Sequence, residues 1–84
     1  MQAAIEISMY PLGSDYRPKI QAFIDRLHTH AGLKIATNQL STQIWGELDL
    51  MLAVLGEEMA RCAAQGPQPV YVMKVLPGLA PPEA

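Results

Sequence analysis

The chain has 84 residues, of which 50% are hydrophobic, and its formal net charge at pH 7 is −2. A chain of this length forms one small domain, whose stability is marginal unless copies of it associate. The acidic balance provides no basic surface for nucleic acid, and the single cysteine, Cys62, excludes a disulfide within the chain.

The sequence has no pattern of a secretory signal or a membrane span. Its first ten residues, MQAAIEISMY, lack a basic segment followed by a long apolar run. The longest helical segment is interrupted by Glu57, Glu58 and Arg61, so we expect no membrane insertion. A lone cysteine suits a reducing compartment, and we expect the protein to be cytoplasmic.

The first half of the chain predicts a strand, a helix and a second strand. The segment AAIEISMY alternates between apolar and polar residues, which predicts a half-buried strand ended by Pro11 and Gly13. Ser14 and Asp15 can cap a helix, and Pro18 is tolerated in its first turn. This helix stops at Gly32, and its apolar residues repeat at helical spacing: Ile20, Phe23, Ile24 and Leu27. The segment LKIATNQL is the next strand.

The second half predicts a strand, a longer helix and a last strand. STQIWGEL is the first of these, and PVYVMKVL is the last. The helix between them closes at Gly66 and Pro67, and its apolar positions are Leu48, Met51, Leu52, Leu55, Met59 and Cys62. We expect a single domain over residues 1–76 and a proline-rich tail, residues 77–84, that is too short to fold.

The order β-α-β-β-α-β predicts an α+β domain of the ferredoxin-like type, with a four-stranded antiparallel sheet and both helices on one face. Ile7, Ile24, Ile44 and Leu52 should lie between the sheet and the helices.

The other face of the sheet, which the helices leave uncovered, is called the open face below. Alternation places Glu6, Ser8 and Tyr10 of the first strand there, together with Gln43, Trp45 and Glu47 of the third. The register of the last strand is open from the sequence, although we favour Lys74 on the open face. Aromatic and apolar residues would make this face a large exposed patch, so we expect a homo-oligomer, a dimer or a tetramer, formed through sheet faces.

Three segments carry a resemblance to a known family. ISMYPLG, NQLSTQIWGELD and VYVMKV, within a match from Ala3 to about Leu76, resemble the YkoF-like thiamine-binding family. The resemblance implies ferredoxin-like domains that pair through their sheets and bind thiamine or its hydroxymethylpyrimidine half nearby. It also implies a role in thiamine uptake or salvage. The chain departs at Trp45, where a glutamate is common in the family.

A thiamine site requires aromatic faces and a carboxylate for the cation, and hydroxyl or amide groups for the pyrimidine edge. Residues of these kinds are the predicted ligand-binding set: Glu6, Ser8, Tyr10, Asn38, Thr42, Trp45 and Glu47. Each also has a structural explanation. The aromatic residues could bury area between subunits, Glu6 could be a solvated or interface carboxylate, and Thr42 could start a strand. Ser8 and Asn38 could bond the local backbone, and Glu47 could cap the second helix.

We expect no enzyme activity, no resident cofactor and no metal. His28 and His30 are two residues apart on a helix and point to different sides, and Cys62 lies on an apolar stripe. Two alternatives stay open: a small dimeric α+β barrel enzyme of the cofactor-free oxygenase or isomerase type, and an interaction module without a small ligand. The enzyme would require a perturbed histidine or acid inside a cavity.

Overall fold

A four-stranded antiparallel sheet with two helices confirms the predicted fold class. The computed structural model describes residues 1–12, 16–66 and 69–82. Its elements are β1 (Gln2–Tyr10), α1 (Tyr16–Leu27), β2 (Lys34–Thr37), β3 (Thr42–Glu47), α2 (Leu48–Ala63) and β4 (Val70–Pro77). As predicted, β1 ends directly before Pro11, whereas Gly13, the predicted caps Ser14 and Asp15, and Pro67 at the predicted end of the second helix lie outside the described residues.

The sheet has the strand order β2-β3-β1-β4, so β1 and β3 are central and the other two strands form its edges. Ile5 lies opposite Ile44 of β3 and Val75 of β4, which aligns the helix-facing side chains across three strands. Glu6 lies opposite Lys74, so the open face carries Lys74 as favoured from the sequence.

The core lies between the sheet and the two helices. Its buried side chains come from β1, α1, β3 and α2: Ala3, Ile5, Ile7, Phe23, Leu27, Ile44, Met51, Val54 and Leu55. Gly46 is also required here, because a Cβ atom at this position would lie 3.0 Å from the Gly32 carbonyl oxygen and 3.1 Å from Leu33 Cδ2. The absence of a side chain at Gly46 lets the segment before β2 pack closely on β3.

The buried stripe of α2 differs from the predicted one. Leu52 is 45% exposed, whereas Val54 and Glu58 are buried. The helix packs against α1 as well as against the sheet, and Glu58 contacts Arg26 of α1. This second contact turns α2 so that the 54 and 58 positions are covered and position 52 is not. In α1, Ile24 is only half-buried, while Phe23 and Leu27 are fully buried.

The tail continues along the sheet after β4. Gly78 turns the chain with a φ of 86°, a backbone conformation that residues other than glycine rarely adopt. Its N–H donates to the Gln2 carbonyl at 2.7 Å. Further on, Lys34 Nζ donates to the Pro82 carbonyl at 3.0 Å. Residues 78–82 therefore extend from the N-terminal end of β1 to the N-terminal end of β2. Within the described residues, neither helix is long and apolar enough to cross a membrane.

Candidate functional site

A chain of polar contacts crosses the open face from β4 to the β2–β3 loop. Lys74 Nζ lies 3.6 Å from Glu6 Oε1, and Ser41 Oγ donates to Glu6 Oε2 at 3.1 Å. Gln43 Nε2 donates to Ser41 Oγ at 2.7 Å, and Asn38 Nδ2 donates to Gln43 Oε1 at 3.1 Å. The carboxylate of Glu6 is therefore tied to the loop that follows β2.

That loop has its conformation set by Asn38. The Asn38 side-chain oxygen accepts from the backbone N–H groups of Leu40 at 2.9 Å and Ser41 at 3.1 Å, and the Asn38 N–H donates to the Ser41 carbonyl at 3.1 Å. An asparagine that bonds the backbone two and three residues ahead forms a tight turn. The Asn38 side chain thus shapes the site, with its oxygen and nitrogen both engaged.

The turn closes one side of a cavity of about 190 Å³ at the end of the sheet, called the sheet-end pocket below. Its polar side comes from Ser8, Tyr10 and residues 37–42, and its apolar side from Ile7, Met9 and α1. No described residue that lines this pocket carries a formal charge. The Glu6 carboxylate contacts the wall of the pocket, because it accepts a hydrogen bond from Ser41.

Four of the seven predicted ligand residues line this pocket: Ser8, Tyr10, Asn38 and Thr42. Tyr10 is more than half exposed, so its ring is available at the rim. Thr42 is buried on the helix-facing side, where its hydroxyl lies 3.1 Å from that of Thr37. Thr42 therefore both starts β3 and forms part of the pocket wall.

Solved structures share this fold. A protein from Streptococcus pneumoniae has a TM-score of 0.84 at 21% identity, over 94% of this chain and 89% of that one. A candidate thiamine biosynthesis/salvage protein from Thermotoga maritima has a TM-score of 0.80 at 17% identity, over 90% and 83%. The domain of unknown function DUF77 from Bacillus cereus has a TM-score of 0.76 at 20% identity, over 98% and 83%.

The shared property is the fold. At these identities the likeness extends no further than the course of the backbone. No protein-family model and no curated protein sequence matches the chain.

The remaining three predicted residues lie outside the lining of the sheet-end pocket. Glu6 adjoins the pocket through Ser41, as described above. Trp45 lies opposite Ala4 and Lys34, two residues further along β3 than Gln43. Glu47 occupies the N-cap position of α2 without a side-chain capping bond, and its carboxylate contacts the amino group of Met1. A role of Trp45 or Glu47 in ligand binding stays a prediction.

A buried carboxylate between the helices was not predicted from the sequence. Glu58 of α2 is 1% exposed and accepts from Arg26 Nε and Nη2, both at 3.2 Å, from Arg61 Nε at 3.1 Å and from His30 Nε2 at 2.7 Å. Burial raises the pKa of Glu58, but the hydrogen bonds from Arg26 and His30 and the charges of Arg26 and Arg61 outweigh it and lower that pKa to about 2. The sequence does hold a signal, because Glu58 lies seven residues after Met51, on the apolar stripe of the helix.

This carboxylate is not a good metal ligand. Potential ligand atoms of His30, Glu57 and Glu58 lie within 4.8 Å of one another. However, two arginine side chains already donate to the oxygens of Glu58, and their positive charges oppose a cation. The cluster therefore holds α1 against α2, and none of its residues lines the sheet-end pocket.

A second cavity, also of about 190 Å³, lies between the helices beside Met9, Lys19 and Cys62. Nearby, the Tyr71 ring packs against Phe23 with 5.3 Å between ring centroids. Burial and the neighbouring Cys62 raise the pKa of Tyr71, whose hydroxyl is buried without a hydrogen-bond partner among the described residues. The cavity contains none of the predicted ligand residues.

Proposed function

We propose that this domain is a non-enzymatic binding protein for thiamine or its hydroxymethylpyrimidine half, related to the YkoF-like family and acting in thiamine uptake or salvage. The observation that carries the proposal is the sheet-end pocket, because four of the ligand contacts that the sequence predicts line one cavity. The fold shared with the Thermotoga maritima protein supports it.

The size and lining of the pocket fit the pyrimidine half of the ligand best. A cavity of about 190 Å³ is smaller than the roughly 300–1,000 Å³ that drug-sized ligands occupy, so it accepts one ring rather than the whole of thiamine. In the proposed binding mode, the apolar residues of β1 and α1 that line the pocket contact the ring faces, while Ser8 and the loop residues that also line it hydrogen-bond the ring edge.

We expect the negative charge of Glu6 to attract the cationic thiazolium half of a thiamine molecule whose pyrimidine half lies in the pocket. With the pyrimidine in the pocket, the rest of thiamine lies towards the open face, where the Glu6 carboxylate accepts from Ser41. Glu6 is 40% exposed, so its attraction for a permanent cation is screened and amounts to a modest gain in affinity. Lys74 at 3.6 Å partly offsets that charge when no ligand is bound.

Pairing of open faces would complete the site. Tyr10, Val70, Val72 and Leu76 leave exposed apolar area on this face, and cover by a second copy would exclude water from the bound ligand. The proposed assembly is a homodimer or homotetramer.

Titration calorimetry with thiamine and with hydroxymethylpyrimidine tests the proposal. Ser8→Ala removes a pocket hydroxyl that has no described hydrogen bond within the chain, so we expect weaker binding of both ligands with unchanged melting of the free protein. Glu6→Gln should weaken thiamine about three- to tenfold and leave the neutral hydroxymethylpyrimidine within about twofold, since only thiamine carries the cation.

Two carboxylate variants serve as controls. Glu57 lies on the exposed side of α2, so the Glu57→Gln variant should bind both ligands with the affinity of the parent. Glu47→Gln tests which carboxylate of the open face lies beside the cation. If Glu47→Gln weakens thiamine binding and Glu6→Gln does not, the thiazolium lies beside Glu47. The absence of binding to either ligand at millimolar concentration would refute the proposed function.

A further inference from the structure

Among the described residues, no strand pairs with the outer edge of β4, which leaves a row of backbone hydrogen-bonding groups there. The Gly78 N–H bonds the carbonyl of Gln2, the residue directly opposite, and the register to β1 continues without a bulge to Tyr10. In an antiparallel pair, bonded and non-bonded positions alternate. Positions 70, 72, 74 and 76 therefore bond β1, and the N–H and C=O groups of Tyr71, Met73 and Val75 point away from the sheet.

This edge is long and largely apolar, which favours strand pairing, and its one charged side chain, Lys74, lies beside Glu6 on the open face. It is eight residues long and has apolar side chains exposed on both faces, with Val70 and Val72 on the open face and Met73 and Val75 on the other. The opposite edge, β2, has only four residues and begins with Lys34. Short edges and edge lysines protect against pairing, while long apolar edges promote it.

We propose that β4 pairs with β4 of a second copy of this chain, antiparallel about a twofold axis at Met73, which joins the two sheets into one of eight strands. Met73 then lies opposite Met73 of the partner subunit, and Tyr71 lies opposite Val75 of the partner subunit. Every outward N–H and C=O group of these three residues finds a partner. On the open face, Val70 lies beside Leu76 of the partner subunit.

The two neighbouring registers that a twofold axis permits are worse. A shift by one pair in one direction places Lys74 opposite Lys74 of the partner subunit, which is unfavourable for like charges. The same shift sets Tyr71 opposite a proline at position 77, which has no N–H to donate. A shift in the other direction sets Val75 opposite Pro69 of the partner subunit and leaves the Val75 carbonyl unpaired. The edge of β4 is therefore complementary to β4 of a second copy in one alignment, the one about Met73.

This contact differs from the face-to-face pairing proposed above and goes beyond the proposed function. It sets two open faces side by side on one surface, with Leu76 of the partner subunit near Tyr10, because Val70 is paired to Tyr10. Failure of the edge contact would leave ligand binding by one chain untouched, so the two proposals fail separately.

Cysteine cross-linking tests the register, in a Cys62→Ser background. Met73→Cys places two cysteines at a bonded pair, where Cα atoms are about 5.5 Å apart and a disulfide can form. Val75→Cys is the matched control, because its side chain has the same orientation and nearly the same exposure, 41% against 38%. In the proposed register its two copies are roughly 14 Å apart, too far for a disulfide. We expect the dimer from Met73→Cys to form at least tenfold faster.

Sedimentation equilibrium of Met73→Pro tests the contact itself. Proline removes an outward N–H that β1 does not use, so the sheet should keep its circular dichroism while edge dimerisation weakens about ten- to hundredfold. Equal cross-linking of the two cysteine variants, faster cross-linking of Val75→Cys, or none from either overturns the proposal. So does a parent chain that stays monomeric at high micromolar concentration.

Discussion

Replacing Glu58 by glutamine removes the buried negative charge that joins the two helices and keeps the volume of the side chain. The carboxylate accepts four hydrogen bonds, from Arg26, Arg61 and His30. A glutamine offers one oxygen and presents an amide nitrogen to donors, so at least two of these bonds are lost. Arg26 and Arg61 then face a neutral group.

The pKa of Glu58 sets the size of the effect. It is lowered from 4.5 to about 2, which corresponds to about 3 kcal/mol between the folded and unfolded chain. Arg26 and Arg61, which cover the carboxylate, are themselves 42% and 45% exposed, so water screens the charges and reduces this value. We expect Glu58→Gln to lose about 1–3 kcal/mol of unfolding free energy at pH 7, or roughly 5–20 °C in melting temperature.

The pH dependence identifies the charge as the cause. Because the folded-state pKa of Glu58 lies below the unfolded value, the unfolded chain binds the extra proton and stability rises with pH. The contribution is complete above about pH 4.5 and is lost as the pH falls towards 2. Urea unfolding of the parent and of Glu58→Gln from pH 7 to pH 2.5 should therefore show two curves that converge in acid.

Glu57→Gln provides the matched control, one residue away on the same helix. Glu57 is 57% exposed and, within the described part of the chain, pairs with Arg61 at 3.6 Å, so its loss should change stability by less than about 0.5 kcal/mol. If Glu58→Gln unfolds like Glu57→Gln, or if the difference from the parent stays constant down to pH 2.5, the buried ion cluster does not stabilise the fold as argued.

Further substitutions test the packing and the site. In chemical unfolding, Leu55→Ala should lower the unfolding free energy by about 2–5 kcal/mol, whereas Leu52→Ala should lower it by less than about 1 kcal/mol, because only Leu55 is buried. The opposite order would mean that Leu52 is the buried residue, as the sequence predicts. Gly46→Ala should destabilise the fold, since its Cβ would lie 3.0 Å from a carbonyl oxygen, while Gly56→Ala has open space and should raise the melting temperature by helix propensity worth about 1 kcal/mol. Trp45→Ala should keep hydroxymethylpyrimidine affinity within about twofold if the ring binds in the sheet-end pocket; a tenfold loss in calorimetry would instead support stacking on the indole.

The order of the elements and the two faces of β1 could be predicted from the sequence alone. Alternation with a period of two places Ile5 and Ile7 on one side of any strand, whatever the strand later pairs with. The same reasoning placed Trp45 on the open face together with Glu6, which the register of β1 and β3 confirms.

The sheet-end pocket and the ion cluster depended on tertiary structure. The pocket forms because the Asn38 turn folds back beside Tyr10, and these residues are 28 positions apart in the chain. Glu58 receives bonds from Arg26, 32 residues earlier, and this contact sets the rotation of α2 that exposes Leu52. The periodicity of a sequence predicts the buried face of a helix only approximately. A modest rotation about the helix axis changes which residues at the borders of the apolar stripe are covered. The packing partner then decides which residues are covered.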